Sequence, residues 1–532
     1  MGQTDGRSDF VHSTSVDTAT HIVAAFLAQG LRDIAYCPGS RNAPFAYVLA
    51  DAEARGLANV ATFVDERSAG FWATGAARAA GSSAVITTSG TAAAELHASL
   101  EEARQSGLAV IAVTADRPHE LTRVGASQTI IQEDLFGKAP LESITIPAGA
   151  QGTHTALRAV VRSMSEAGPV HLNVALREPL IPSGNIEWPA IKPVNAPISS
   201  LQHLTWAEAV DPDLDTVVVA GMGADQATVF AAEAAGIPVL SEPMVRGGFP
   251  AGSVLTLALS SPVEQVVVIG RPTLSRAVST LIREARRKVI VAERFPWPDP
   301  SGGTDLVVQG LSGEPAPARV EWSKKWASAA KKVAENLPTS GLGLLTAANA
   351  IWKAGPQIPL WLGASNTVRA FEIIASGARG PVMSNRGVAG IDGTISSAMG
   401  FASAADLPIR VVLGDLSFAY DMNVLAARPG KDVSMQVVVM DDGGGSIFAS
   451  LEHGMKKYAH LYERFFAVPQ ALDPVAAAES MGWNARRIDT LAELEISLAS
   501  PIDGRSLLYV PIKRPTDEIR HVQKTFSIDS DS

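Results

Sequence analysis

The sequence predicts an α/β protein made of three doubly wound parallel-sheet domains. Three observations carry that expectation. Short apolar strands alternate with Ala-rich helical stretches, the strands run into turns rich in Gly, Pro or Asp, and two proline-rich breaks divide the chain into three. A length of 532 residues fits about three domains.

The first block, residues 1–187, opens with apolar residues at Val16, Ala19, Ile22, Val23, Phe26 and Leu27, a helical stripe with Ser15 as its N-cap and Gly30 as its stop. Strands are expected at Asp33–Cys37, Val60–Val64, Ala84–Thr88 and Leu108–Thr114. Pro182, Pro189, Pro193 and Pro197 mark an aperiodic linker. The second block, 188–337, holds strands at Thr216–Ala220, Val239–Leu240, Gln265–Ile269 and Val289–Ala292. A Pro/Gly-rich stretch, Pro296–Pro317, and a helix, Val320–Leu337, complete it. In the third, 338–532, strands fall at Leu360–Gly363, Arg410–Leu413, Gln436–Met440 and Leu507–Val510. The polar tail Ser527–Ser532 is expected to be disordered.

Composition limits the class. A net charge of −10 argues against a general binder of nucleic acid or anionic membranes, although arginine clusters can still grip small anions. The polar start MGQTDGRSDFVHSTS is no signal peptide, Gly6 breaks the myristoylation pattern, and no run of about 20 uncharged apolar residues occurs, so a cytoplasmic protein without membrane insertion is expected. The single cysteine, Cys37, excludes an intramolecular disulfide and a Cys-rich zinc site, and without a local base partner it reads as a wall residue. The 10 histidines show no metal-ligand spacing.

Chemistry concentrates in the third block. Gly414-Asp415-Leu416-Ser417 ends one strand, and Asp441-Asp442-Gly443-Gly444-Gly445 ends another, about one βαβ crossover later. Parallel sheets bind ligands at the carboxyl ends of their strands. Two carboxylates and a glycine carbonyl there would make an all-oxygen site for a hard divalent cation, the kind that holds a diphosphate. The residues equally permit a plain reading, in which Asp415 caps a helix and the acidic-glycine run is a turn.

These two clusters resemble the diphosphate signature of the thiamine-diphosphate-dependent enzymes, with Leu416 in place of the usual third glycine and Asp441-Asp442 in place of two asparagines. Five further blocks occur in matching order: Cys37-Pro-Gly-Ser40-Arg41-Asn-Ala-Pro44, Asp65-Glu66-Arg67, Thr88-Ser-Gly-Thr91, Ala115-Asp-Arg117-Pro118 and Ser384-Asn-Arg386-Gly-Val-Ala-Gly-Ile391-Asp392-Gly393. Together they resemble the decarboxylating carboligases of menaquinone biosynthesis within that superfamily, from about residue 15 to residue 512.

The resemblance implies three domains of the thiamine-diphosphate-enzyme type and a reaction in which 2-oxoglutarate loses CO2 and its remainder adds to isochorismate. It implies thiamine diphosphate and Mg2+ or Mn2+ as cofactors. Glu66 is the implied catalytic carboxyl, hydrogen-bonded to the aminopyrimidine with a raised pKa. Gly390, Ile391, Asp392, Gly414, Asp415, Leu416, Ser417 and Ile447 are the implied neighbours of the cofactor, Ile391 lying under its bend. Asp415, Asp442 and Gly444 are the implied metal ligands. Ser40, Arg41, Arg117, Gln128, Arg276, Ser365, Arg369, Arg386 and Phe448 are the implied substrate contacts, arginine suiting carboxylates through its bidentate fork. The superfamily further implies a homodimer or a dimer of dimers, in which Glu66 of one subunit meets Asp415 of another.

Other readings stay open at this point: an acetolactate-synthase-like carboligase, or a sensor of thiamine diphosphate or a metabolite without catalysis. Gly221-Met-Gly223 begins like a dinucleotide fingerprint but lacks the third glycine. Glu452–Phe466 reads as an amphipathic surface helix or a mobile helix over the site.

Overall fold

The computed structural model describes residues 14–194, 203–252, 254, 263–292, 299, 302–376, 379–515 and 518. The expected N-terminal segment up to residue 13, Pro197 of the linker, parts of the Pro296–Pro317 stretch and the tail Ser527–Ser532 lie outside these residues. The chain divides into two compact units, one of Met1–Ile198 with Ser403–Ala405 and Ala427–Asp432, the other of Ser199–Ala402, Asp406–Ala426 and Val433–Ser532.

The first unit carries a six-stranded, wholly parallel sheet: β1 (Asp33–Tyr36), β2 (Asn59–Thr62), β3 (Ser82–Thr87), β4 (Ala109–Asp116), β5 (Ser143–Ile146) and β6 (Val170–Ala175), in the order β2-β1-β3-β4-β6-β5. In the second unit, β7 (His203–Thr205) pairs with a later strand. A second parallel sheet follows, of β8 (Thr216–Ala220), β9 (Val239–Ser241), β10 (Phe249–Pro250), β11 (Gln265–Ile269), β12 (Arg287–Val291) and β13 (Leu306–Val308), in the order β10-β9-β8-β11-β12-β13. β14 (Gly310–Ser312) is the partner of β7. The third sheet holds β15 (Leu360–Leu362), β16 (Val382–Met383), β17 (Ile409–Gly414), β18 (Met435–Asp441), β19 (Asn484–Arg487) and β20 (Arg505–Pro511), in the order β16-β15-β17-β18-β20-β19. The first and third sheets thus share one strand order, as their common βα rhythm anticipates.

Central strands such as Val217–Ala220, Val266–Ile269 and Val437–Met440 are buried on both faces, which is why they read as continuous Val/Ile runs rather than alternating ones. Each such side chain contributes on the order of 1.5–3 kcal/mol through burial. Each six-stranded sheet reverses its strand order near its middle, between β1 and β3, between β8 and β11, and between β15 and β17. Those reversals open a crevice at the carboxyl ends of the flanking strands.

Several sequence expectations change. The first helix, Ser15–Ala28, is capped by Thr14, not Ser15: Thr14 Oγ1 accepts from the Asp17 amide at 3.1 Å, and Asp17 accepts in return from the Thr14 amide at 2.9 Å. Gln29 is its C-cap and Gly30 is its stop as expected, at φ +82° with the Leu31 amide donating to the Phe26 carbonyl at 3.0 Å. Strands β5, β6, β16 and β19 escape the reading because two residues of pairing, or polar residues such as His171 and Asn173 inside a strand, leave no apolar run. Two short strands, β13 and β14, lie within the stretch expected to be Pro/Gly-rich loop, and the following helix ends at Glu335. Residues 452–466 do not form one helix. They comprise 3-10 turns at Glu452–Gly454 and Lys456–Tyr458, a single α-turn at Ala459–Tyr462 and a π-turn at Glu463–Ala467, and Gly454 stands where a side chain would strike the Ala449 carbonyl. Among the described residues no helix is long and apolar enough to cross a membrane.

One buried carboxylate ties the third sheet to the loop ahead of its longest helix. Asp421 accepts from the amides of Ile395 at 2.7 Å and Ser396 at 2.9 Å and from Ser396 Oγ at 2.9 Å, so it caps the helix Thr394–Ala405 from a distant part of the chain. We expect Asp421→Ala to strand these donors and cost about 3 kcal/mol. The check is the urea midpoint of the purified protein, which should fall; an unchanged midpoint contradicts this role.

Candidate active site

In the first unit the predicted residues gather at the carboxyl ends of β1 to β4. The Cys37–Arg41 turn leaves β1 and is tied by Asn42 Nδ2 donating to the Cys37 carbonyl at 2.7 Å. Cys37 is buried and its thiol is pushed up by desolvation first and by the Glu66 and Asp65 charges next. Arg41 is buried, donates to the Leu176 carbonyl at 3.0 Å and lies 3.8 Å from Glu178. Burial lowers its pKa, and the charge of Arg117 adds to that effect. Arg117 itself follows Asp116, whose carboxylate accepts its amide at 2.7 Å, and its Nη2 donates to the Ser127 carbonyl at 2.9 Å. Gln128 and Ser89 exchange two bonds of 3.0 Å each. Ser40 is partly exposed in the same turn. Two mutually repelling guanidinium groups in one polar crevice are what an anion would relieve.

Glu66 opens the helix Glu66–Ala80 just past β2. The cap is its neighbour: Asp65 Oδ1 accepts from the amides of Arg67 at 3.0 Å and Ser68 at 3.3 Å. Glu66 is therefore spared capping, sits half-buried, and its carboxyl is raised by desolvation first and then by the charges of Asp65 and Glu95.

A polar network beneath this unit's crevice went unread in the sequence. Gln132 accepts from the Gly90 amide at 3.0 Å and donates to Asn173 Oδ1 at 2.9 Å, Asn173 donates to Asp116 at 2.9 Å, and Thr114 Oγ1 reaches Asn173 at 3.0 Å and His171 Nε2 at 2.8 Å. The available signal was the polar alternation His171-Leu172-Asn173 within a buried strand.

In the second unit, parallel register does the placing. Gly414 of β17 pairs with Met440 of β18, so Asp415 and Asp441-Asp442 emerge side by side. Asp415 opens the helix Asp415–Asp421, with Leu416 partly and Ser417 fully buried behind it. Its carboxyl is pushed up to about 7, by burial first and then by Asp441 and Asp442, while the amides of Leu416 and Gly444 favour its charged form. Asp442 is buried and raised by desolvation; Ser446 Oγ and Asn366 Nδ2, the latter at 3.4 Å, donate to it. Asn366 also bonds Ser446 at 2.6 Å. Gly444 holds φ +105°, a conformation only glycine adopts without strain, and an added Cβ would strike the Ala467 carbonyl. Arg514 backs the turn, donating to the Gly443 carbonyl at 3.0 Å while paired with Glu463 at 2.9 Å.

A carboxyl raised by burial and by two neighbouring carboxylates, as Asp415 is by Asp441 and Asp442, fits a divalent cation, and the donors are hard oxygens. Among the described residues no group of three His, Cys, Asp or Glu side chains is arranged to hold a metal. Two carboxylates and the Gly444 carbonyl would supply part of a shell that diphosphate and water complete.

Across the β15/β17 reversal, Ser365 holds φ +69°, a conformation unusual for a residue with a side chain, and Gln128 in the first unit holds φ +55°. Such strain costs on the order of 1–3 kcal/mol and is retained where geometry matters. Ser365 leads into the helix Asn366–Ile374, whose Arg369 donates back to the Ser365 carbonyl at 3.1 Å. Arg386 is buried and donates to Thr273. Gly390, Ile391 and Asp392 form the loop before the helix Thr394–Ala405. Ile447 and Phe448 lie in the 3-10 turn Ser446–Ser450, where the Phe448 ring meets Phe466 at 5.7 Å. Arg276 stands apart from these buried arginines, its side chain 82% exposed and 3.6 Å from Glu452.

Sequence comparison agrees with this geometry. Residues 17–136 match the model of the thiamine pyrophosphate enzyme, N-terminal TPP binding domain, and residues 366–510 that of the thiamine pyrophosphate enzyme, C-terminal TPP binding domain. The fold and the two matches define a thiamine-pyrophosphate-dependent enzyme. Full-length relatives include the 2-succinyl-5-enolpyruvyl-6-hydroxy-3-cyclohexene-1-carboxylate synthases of Nocardioides sp., 36% identical over 93% of this chain and 95% of the relative, and of Nocardia farcinica, 36% identical over 94% and 96%. The synthase of Mycobacterium tuberculosis is likewise 36% identical, over 94% and 97%. The chain belongs to the 2-succinyl-5-enolpyruvyl-6-hydroxy-3-cyclohexene-1-carboxylate synthase family.

Glu372, unread in the sequence, is buried near Arg369 and Arg386, and desolvation followed by the charge of Glu242 pushes its carboxyl up to about 8. The unfolded chain releases that proton near 4.5. This contribution to stability is therefore complete below about 4.5 and is lost as pH rises through about 8. We expect Glu372→Gln to gain stability relative to wild type between pH 5 and 8, by up to a few kcal/mol, in urea melts at the two pH values. A difference independent of pH contradicts the assignment.

Proposed function

We propose that this enzyme joins the four-carbon remainder of 2-oxoglutarate to isochorismate, releasing CO2 and forming 2-succinyl-5-enolpyruvyl-6-hydroxy-3-cyclohexene-1-carboxylate. The observation that carries the reading is the pair of carboxylates Asp415, half-buried, and Asp442, buried, at adjacent strand ends, in a chain that also keeps Glu66 half-buried with a raised carboxyl. A sensor would have no use for that carboxyl, and an enzyme for small uncharged groups would have little use for the buried arginines.

Thiamine diphosphate, when bound, supplies the electron sink that lets a 2-oxo acid lose CO2. Asp415, Asp442 and the Gly444 carbonyl would hold Mg2+ or Mn2+ against the diphosphate. Gly414, Leu416, Ser417 and Ile447 would line its sides, and Ile391, flanked by Gly390 and Asp392, would support the bend. Glu66, its carboxyl raised by desolvation, would hydrogen-bond the aminopyrimidine ring and hold or pass a proton there. Arg41 and Arg117, with Ser40 and Gln128, would receive one substrate carboxylate, and Arg369 and Arg386, with Ser365 and Phe448, another; the exposed Arg276 is a further candidate contact. Buried guanidinium groups suit this task because the desolvated ion pair they form with a carboxylate is stronger than one in water.

The proposed organisation is three domains, 1–187 for the pyrimidine, 188–337 as a central domain and 338–532 for the diphosphate, in a cytoplasmic homodimer or dimer of dimers.

The direct assay supplies purified protein with thiamine diphosphate, Mg2+, 2-oxoglutarate and isochorismate. It should show CO2 release coupled to isochorismate loss; consumption of 2-oxoglutarate indifferent to isochorismate overturns the assignment. Glu66→Gln should lower kcat at least about a hundredfold, with thiamine diphosphate affinity, followed by tryptophan quenching, within about threefold of wild type. Retained turnover in this variant contradicts the role given to Glu66.

A further inference from the structure

The central sheet also reverses its strand order, between β8 and β11, and the turns after those strands are Gly221-Met222-Gly223 and Gly270-Arg271-Pro272-Thr273. In other doubly wound sheets a ligand enters here. In this one the two turns close on each other. The Arg271 amide donates to the Met222 carbonyl at 2.9 Å, and a Cβ on Gly221 would collide with the backbone of Arg271 and Pro272. Of the glycines that begin like a nucleotide fingerprint, Gly221 serves this backbone contact and Gly223 a turn at φ +79°.

A carboxylate of the protein occupies this end of the sheet. Glu242, the residue after β9, is 3% exposed, and its Oε1 accepts from the amides of Thr273 at 2.5 Å and Leu274 at 2.8 Å. The turn so fixed meets the third block's substrate-facing segment. Arg386 Nε donates to Thr273 Oγ1 at 3.2 Å, Arg386 Nη2 donates to the Thr273 carbonyl at 3.3 Å, and Arg271 Nη2 donates to the Gly387 carbonyl at 3.0 Å. Glu372 adds a second buried carboxylate, packed against Gly252, where an added Cβ would lie 3.1 Å from its carboxyl carbon. Glu242 Oε2 and Glu372 Oε1 have no hydrogen-bond partner among the described residues. The charge of Arg386 acts on both carboxyls.

We infer that Glu242 is a positioning residue: by locking the Thr273 turn it aims the Arg386 guanidinium at a substrate carboxylate, which makes the central block a working part of the clamp. The inference rests on the proposed function in one respect, that Arg386 meets a substrate carboxylate. A fork that binds a carboxylate through two parallel bonds gains most when its orientation is set before binding, because the ordering cost is then met in folding. A carboxylate is suited to the task because one oxygen satisfies two amides while the charge is offset by Arg386.

The test compares Glu242→Ala, which removes the acceptor, with Glu242→Gln, which keeps it. Glu242→Ala should raise KM for one of the two carboxylate substrates by about tenfold or more, with kcat within about threefold; Glu242→Gln should stay within about threefold of wild type in both. A second readout needs no substrate: phenylglyoxal labelling mapped by peptide mass. Arg386 should be protected in wild type and in Glu242→Gln and labelled in Glu242→Ala, while Arg379 and Arg410, buried elsewhere in the same unit, stay protected. Should Glu242→Ala fail to fold, Thr273→Val, which removes the Oγ1 contact alone, should show the same pattern at smaller amplitude. Unchanged KM and labelling in the folded variants overturns the inference, as does joint labelling of all three arginines, which would mark general loosening. Wild-type protein inert toward both substrates would overturn the proposed function, and labelling then decides the role of Glu242 by itself.

Discussion

Two carboxylates are held together out of water at the ends of adjacent parallel strands, and the rest of the second unit is organised around that cost. Asp415 and Asp442 emerge side by side because Gly414 pairs with Met440, and like charges in such a place favour protonation over ionisation until a cation joins them. The surroundings soften the conflict only in part. Amides of Leu416 and Gly444 turn toward Asp415, Ser446 and Asn366 donate to Asp442, and Arg514 braces the glycine turn from behind. A divalent ion placed between these carboxylates would offset the charge that their surroundings leave uncompensated.

The same logic recurs with the sign reversed. Arg41 and Arg386 are buried and Arg369 is partly so; Arg41 follows β1 and Arg369 follows β15, strands at which a sheet reverses its order, while Arg386 follows the neighbouring edge strand β16. A molecule with a net charge of −10 thus keeps positive charge in buried crevices, where a small anion meets it with little screening. The central sheet uses the equivalent crevice differently, closing it with its own turns and with Glu242.

The fold was largely legible because buried parallel strands write themselves as Val/Ile runs ending in Gly, Pro or Asp, as at Val217–Val219 and at Gln265–Ile269. What escaped was written in polar or short segments. β6 contains His171 and Asn173, β16 is two residues long, and residues 452–466 carry a helical composition but fold as a chain of short turns. The residues proposed for the site's first layer come from the turns that carry the family resemblance. The layer behind it, Glu372, Glu242, Asn173, Gln132 and Arg514, was not, since a buried polar residue declares itself only when its distant partner is known.

The central claim is that the paired carboxylates exist to hold a divalent cation against a diphosphate. Equilibrium dialysis of Mn2+ with electron paramagnetic resonance detection, with and without thiamine diphosphate, tests it most directly. The account predicts one tightly held Mn2+ per chain, dependent on the diphosphate and abolished in Asp442→Ala. Mn2+ binding that persists undiminished in Asp442→Ala, or that is absent from wild type in the presence of thiamine diphosphate, would contradict it.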